Sequence, residues 1–134
     1  MSATIIDGKA VSLQIENELK VRVDALGQSG VQPHLVVVLV GDDAASHVYV
    51  RNKQRACERT GVISTRMDLP SSSTRQGVLD IISDLNDDES VHGILVQSPL
   101  PPRMDELRIA DAIDPRKDVD GFHAINAGRL MIGR

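Results

Sequence analysis

Three sets of polar residues in this chain have the types and spacing to do chemistry. Ser46, Tyr49 and Lys53 follow one another at intervals of three and four, which places them on one face of any helix that carries them. Gln97 comes directly after the apolar run Ile94-Leu95-Val96, and Asp118-Val119-Asp120-Gly121-Phe122 forms a glycine-bearing loop. A lysine beside an amide and a ring, partly withdrawn from water, has its charged form disfavoured and can pass a proton near neutral pH. A tyrosine face accepts a flat ligand, and an aspartate carboxylate can accept two N–H bonds from an amino-heterocycle. The combination suits a planar, nitrogen-rich ligand handled by a lysine acid/base. Each residue also has a plainer use: Tyr49 and Lys53 as a solvated helix face, Gln97 as a strand-end cap, Asp118 and Asp120 as turn and cap residues beside Gly121. Convergence favours the site. The chain has one Tyr, one Phe and no Trp; that Tyr lies one helical turn from Lys53 and that Phe adjoins the aspartate pair.

Other chemistries fit less well. His34, His47, His92 and His123 are scattered and have no zinc-ligand spacing, so no metal is expected. A metal-dependent α/β enzyme using Asp114, Asp118 and Asp120 is conceivable, but their spacing matches no oxygen-ligand loop. Cys57 stands mid-helix without an activating motif and reads as a packing residue. Neither a G-x-G-x-x-G nor a G-x-x-x-x-G-K-[ST] phosphate loop occurs. With 19 acidic and 15 basic side chains the formal net charge is -4, which argues against nucleic acid as a partner. The longest apolar run, Leu35 to Val40, is too short to cross a bilayer, and Met1-Ser2-Ala3-Thr4 has no secretion-signal character. A single cysteine permits no internal disulfide and suits a reducing compartment; the expected location is the cytoplasm.

The elements that must position these residues are legible from periodicity. Val11, Ile15 and Leu19, joined by Val23 and Leu26, mark an amphipathic helix over about residues 9–26, closed by Gly27 and Gly30. Leu35 to Val40 has no alternation and predicts a strand covered on both faces. Gly41-Asp42-Asp43 turns the chain into a helix over about residues 44–59, ended by Gly61. Residues 62–69 alternate as an edge strand. Ser73 to Gln76 matches a capping box ahead of a helix burying Val78, Ile81, Ile82 and Leu85. A short strand at 94–96 is followed by Pro99, Pro101 and Pro102, then by helices near 104–113 and 123–132. The order predicts a three-layer α/β domain with a small, mainly parallel sheet flanked by helices, with ligands at the carboxyl ends of its strands.

Tyr49-Val50-Arg51-Asn52-Lys53-Gln54-Arg55-Ala56-Cys57, Gly93 to Pro101 (GILVQSPLP) and Lys117-Asp118-Val119-Asp120-Gly121-Phe122 together resemble the signatures of the bifunctional methylenetetrahydrofolate dehydrogenase/cyclohydrolase (FolD-type) family. Ile5-Ile6-Asp7-Gly8-Lys9 and Asn126-Ala127-Gly128-Arg129-Leu130 look like its flanking segments, so the resemblance runs through the whole chain. Ser98 departs from it, standing where the family usually has Leu. The resemblance implies an enzyme that oxidises 5,10-methylenetetrahydrofolate with NADP and hydrolyses the methenyl product to 10-formyltetrahydrofolate. It implies Lys53 as the cyclohydrolase acid/base, Gln97 as the group that poises it, and Tyr49 as a stacking partner of the aminobenzoyl ring. Ser46 lines the site beside Tyr49, Asp120 holds the pterin N–H groups, and Pro99, Leu100 and Pro101 form a wall. Family chains are about twice as long and usually dimeric. Residues 1–122 are therefore read as the folate-binding catalytic domain and 123–134 as the start of a helix leading towards a dinucleotide-binding domain, where the NADP site would lie. By itself the chain is expected to lack dehydrogenase activity; the alternative reading is a non-catalytic folate-binding or assembly module.

Overall fold

Six consecutive apolar residues need cover on both sides, and β1 (His34–Val40) receives it as the central strand of a three-stranded parallel sheet. The computed structural model describes residue 3 and residues 5–134. Met1, Ser2 and Thr4, part of the segment read as lacking a secretion signal, lie outside the described residues. Around β1 the chain builds α1 (Gly8–Gln28), α2 (Ala44–Thr60), β2 (Ile63–Leu69), α3 (Arg75–Asp87), β3 (Gly93–Val96), α4 (Glu106–Ala110) and α5 (Ala124–Met131). The strand order is β2-β1-β3, with Val36 opposite Thr65 on one side and Ile94 on the other. No helix among the described residues is long and apolar enough to cross a membrane.

The two faces of β1 serve two cores. Val36, Val38 and Val40 pack with Val78 and Ile82 of α3, Ile94 of β3 and Ile109 of α4. Val37 and Leu39 turn the other way, onto Val50 of α2 and Leu95. The three-layer α/β architecture expected from the sequence is therefore present, and the sheet is parallel throughout.

Several local expectations are corrected. The α3 cap is Thr74, whose hydroxyl accepts from Gly77 N at 3.0 Å, while Gln76 donates to Asp80 instead of closing a box with Ser73. A run of neighbouring hydroxyls offers competing caps, and the one in register with the buried Val78–Ile82 face is used. α1 runs through Gly27 to Gln28 and is capped at Ser29. α4 is only five residues long because turns occupy the rest of 104–113. Along α1 only Val23 is buried, and Val11, Ile15 and Leu19 stay 47, 49 and 39 % exposed. That helix packs chiefly on α2, where Arg59 makes a two-pronged pair with Glu16, so its apolar row is covered mainly from one side. β2 is an edge strand, yet Arg66 on its expected wet face is half-buried because it meets His47 of α2 at 2.6 Å.

The segment after α4 is tied to the far edge of β3. Ile94 N donates to Lys117 O at 2.8 Å, and residue 118 forms a parallel bridge with Ile94. The Lys117 ammonium donates to Leu85 O, Asn86 O and Asp88 O at 2.9, 2.8 and 2.7 Å, closing the C-terminal end of α3. Gly93 makes the approach possible. A Cβ there would stand 2.7 Å from a methyl of Val119. Gly93→Ala is accordingly expected to cost about 1–3 kcal/mol, read as a lower urea midpoint with an unchanged slope. An unaltered midpoint would show that the Val119 loop yields freely.

Candidate functional site

Parallel strands bring their carboxyl ends to one rim, and two of the sequence-marked sets meet there. β1 runs through Gly41, in the left-handed region at φ 93°, into the N-terminus of α2. The Asp43 carboxylate caps that helix, accepting from Ser46 N at 2.7 Å and Ser46 Oγ at 2.9 Å. These bonds hold the Asp43 carboxyl below the ordinary carboxylate range. Ser46 is 1 % exposed; its hydroxyl is engaged by Asp43 and lies 3.4 Å from Ser98 O, so it braces the rim from beneath. Tyr49, one turn on, is 61 % exposed and offers its ring to the outside. Lys53 is half-buried on the next turn.

Gln97 leaves the end of β3 with its backbone N–H donated to Val38 O at 2.9 Å. Its side chain joins the two strand ends. Lys53 Nζ donates to Gln97 Oε1 at 3.1 Å, and Gln97 Nε2 donates to Ser98 O at 2.7 Å. The second bond sets the direction of the first. Turned over, the amide would place oxygen against the Ser98 carbonyl and NH₂ against the lysine, losing both bonds. Gln97 is thus held as an acceptor towards Lys53.

A cavity of about 280 Å³ opens beside this pair. Its apolar wall comes from Val96, Leu100, Ile109 and Phe122, and its polar groups are Ser98, Glu106, Asp118 and Asp120. Lys53 and Tyr49 are not among its lining residues; Lys53 is linked to the wall through Gln97 and Ser98. Pro99 is exposed and Pro101 half-buried, with Leu100 between them facing the cavity. Phe122 is 66 % exposed at its rim. Asp120 makes no hydrogen bond or ion pair among the described residues. Burial raises its carboxyl pKa, the charge of Lys53 opposes that rise, and the charge of Asp118 adds to it.

Glu106 was not marked by sequence reasoning. Its carboxylate accepts from Leu100 N at 2.8 Å and from Ser98 Oγ at 3.1 Å, so it fixes the wall that follows Gln97. The only signal in the sequence is an acid after the Asp105 cap of α4, which suits the helix dipole equally well. The Ser98 hydroxyl takes part in this contact, which a leucine there could not make. The Asp114 carboxylate is paired with Arg116 at 2.5 Å and held at a pKa of about 2 by it. No group of three or more His, Cys, Asp or Glu side chains among the described residues is arranged to hold a metal ion.

Comparison with known proteins places this geometry. The sequence model of one family, described as tetrahydrofolate dehydrogenase/cyclohydrolase, catalytic domain, matches residues 6–120. The bifunctional protein FolD of Chlorobium chlorochromatii is 55 % identical over 130 residues, covering 96 % of this chain and 44 % of that protein. Its counterpart in Bordetella bronchiseptica is 54 % identical over 134 residues, covering 100 % of this chain and 47 % of the relative. The chain therefore spans about half the length of these relatives. Among solved structures, the FolD methylenetetrahydrofolate dehydrogenase/cyclohydrolase of Campylobacter jejuni superimposes with a TM-score of 0.96 at 45 % identity, over 98 % of this chain and 47 % of that one. The Trypanosoma brucei enzyme, solved with NADP cofactor and inhibitor, gives 0.91 at 35 % identity, over 98 % of this chain and 46 % of that one.

Asp120 yields a test of the site's electrostatics. A carboxyl whose folded pKa is raised favours the folded state while protonated, and that contribution is lost as the pH rises through the folded pKa. At pH 7 the charged form therefore weighs against folding. Asp120 is exposed by surface area, so solvent screens the effect; Asp120→Asn is expected to raise the melting temperature only slightly at pH 7, with the gain shrinking as the pH falls towards the usual carboxylate range. A melting temperature at pH 7 equal to or below that of the unsubstituted chain would contradict this account.

Proposed function

The chain belongs to the tetrahydrofolate dehydrogenase/cyclohydrolase family, and from that premise we propose that it binds a 5,10-bridged tetrahydrofolate and that Lys53 is the acid/base for hydrolysis of the methenyl bridge. The observation that carries the reading is the directed Lys53–Gln97 bond beside an apolar cavity that ends in the unpartnered carboxylate of Asp120. The cavity takes the pterin, Asp120 accepts its N–H groups, Tyr49 stacks on the aminobenzoyl ring, and Leu100 with its flanking Pro99 and Pro101 walls the pocket. In the same reading residues 1–122 are the folate-binding catalytic domain and 123–134 begin a helix leading towards a dinucleotide-binding domain. A homodimer in the cytoplasm is the expected setting, supported by the likeness to FolD proteins and by a single, half-buried cysteine.

The chemistry follows from the pair. The methenyl carbon carries positive charge, so an ammonium beside it is disfavoured and the neutral amine favoured. With one N–H committed to Gln97, the lone pair of the amine is free to take a proton from the attacking water as its oxygen bonds to the methenyl carbon. The C–N5 bond then breaks, the Lys53 ammonium returns the proton to N5, and the hydroxyl proton leaves to solvent as the formyl C=O forms on N10. Water is consumed and one proton is released, which balances conversion of the cationic methenyl form to 10-formyltetrahydrofolate.

The family's oxidation step draws on NADP, the cofactor held by the Trypanosoma brucei relative. The helix start at the candidate site does not fit a dinucleotide phosphate. At the turn from β1 into α2 the cap position is filled by Asp43, Asp42 stands beside it, and the Ser46 N–H is already spent on Asp43. No hydride step is therefore assigned to these residues.

Lys53→Met is expected to slow hydrolysis of 5,10-methenyltetrahydrofolate by about a hundred- to ten-thousand-fold, the range for a lost acid/base, while folate binding persists. Hydrolysis followed at the methenyl absorbance checks this. Near-normal rates in the variant would remove Lys53 from its role. Folate binding by the unsubstituted chain without hydrolysis would favour the non-catalytic binding module instead.

A further inference from the structure

The loop that carries Asp120 contains a second aspartate turned inward. One Asp118 oxygen accepts from Gly121 N at 3.0 Å, and the other accepts from His123 N at 3.0 Å and Asn126 Nδ2 at 2.9 Å. These bonds hold the Asp118 carboxyl below the usual range despite its partial burial. On the opposite side the main chain is held to Ile94, and Val119 presses on Gly93. Gly121 supplies the left-handed turn, at φ 71°, that lets the chain double back on the carboxylate. Asn126 also donates to Pro115 O at 2.8 Å, tying the first turn of α5 to the start of the segment. Both ends of a short loop thus close on one side chain; Asp118, Asp120 and Phe122 all line the cavity, but the Asp118 oxygens are spent on the loop's own N–H groups while Asp120 has no such partner.

We propose that Asp118 is a positioning residue for ligand binding: by gathering Gly121, His123 and Asn126 around its carboxylate it fixes where Asp120 and Phe122 meet the bound pterin. The inference rests on the folate reading above and adds a residue that acts through the loop it holds, since both its carboxylate oxygens are already engaged there. It requires a carboxylate at 118. Three N–H donors converge there, and an amide in its place would turn its NH₂ against at least one of them. Lys53 and Gln97 are held by α2 and by the strand end, outside this loop, so Asp118 governs affinity and leaves the chemical step alone.

The test compares Asp118→Asn with the unsubstituted protein by calorimetric titration with 5-formyltetrahydrofolate and by the kinetics of methenyltetrahydrofolate hydrolysis. Asn86→Ala serves as a control, because it severs another loop brace, to Ala112 O and Asp114 N, made by a side chain that does not itself line the cavity or touch the Asp118 carboxylate. Affinity is expected to fall about ten-fold in Asp118→Asn, with the kinetic loss in KM and kcat within about two-fold, while Asn86→Ala lowers the melting temperature and binds folate normally. Asn126→Ala, which removes one of the three donors, is expected to weaken binding by about three-fold and carries the test if Asp118→Asn does not fold. Unchanged affinity in either folded variant overturns the inference, as does an equal loss in Asn86→Ala. No binding by the unsubstituted protein overturns the folate reading itself, a separate result from unchanged affinity in the variants.

Discussion

The two-sided burial of β1 is the constraint on which the rest of the molecule depends. A strand whose successive residues serve opposite cores cannot slip by one position without exchanging every contact on both faces. Val36, Val38 and Val40 are committed to α3 and α4, and Val37 and Leu39 to α2. With β1 fixed in this way, the start of α2 and the end of β3 are brought to the same rim. Gln97 takes its own place from this strand through its bond to Val38 O. The distance between Lys53 and Gln97 is therefore set by core packing far more than by any attraction between the two groups.

The carboxylates around the rim show how one residue type is given separate tasks by its surroundings. Asp43 is spent on the N–H and hydroxyl of Ser46, Asp114 on Arg116, Glu106 on Leu100 and Ser98, and Asp118 on three donors of its own loop. Asp43, Asp114 and Asp118 are each held below the ordinary carboxylate range, which marks them as satisfied. Asp120 alone of this group is shifted upward and left without a partner, the condition of a side chain kept for something that arrives from outside.

Much of this was legible from the sequence, for physical reasons that can be named. An unbroken apolar run reports a strand covered on both faces because no other arrangement satisfies it, and the i, i+4 spacing of Tyr49 and Lys53 sets their common face whatever lies opposite. Gln97 and Asp120 were marked by their places beyond a strand and beside a glycine. What the sequence withheld depends on the chain returning to itself. Among several adjacent hydroxyls, the choice of Thr74 as cap is made by the depth at which Val78 is buried. Glu106 and Ser98 are eight residues apart and share no periodic pattern, so their hydrogen bond emerges only when α4 folds back over the proline segment. The exposure of the apolar row on α1 is likewise a matter of which surfaces are present to cover it.

The fixed direction of the Gln97 amide has a consequence for how such a protein ages. Slow loss of ammonia from that one side chain would leave a carboxylate of nearly the same shape in its place. The new anion would grip Lys53 in its cationic state and lose the bond to Ser98 O, while β1 and both cores remained as they were. Such a molecule would keep its fold and differ in mass by one unit, so that the integrity of the sheet and the polarity of the Lys53–Gln97 pair are separable properties of one chain.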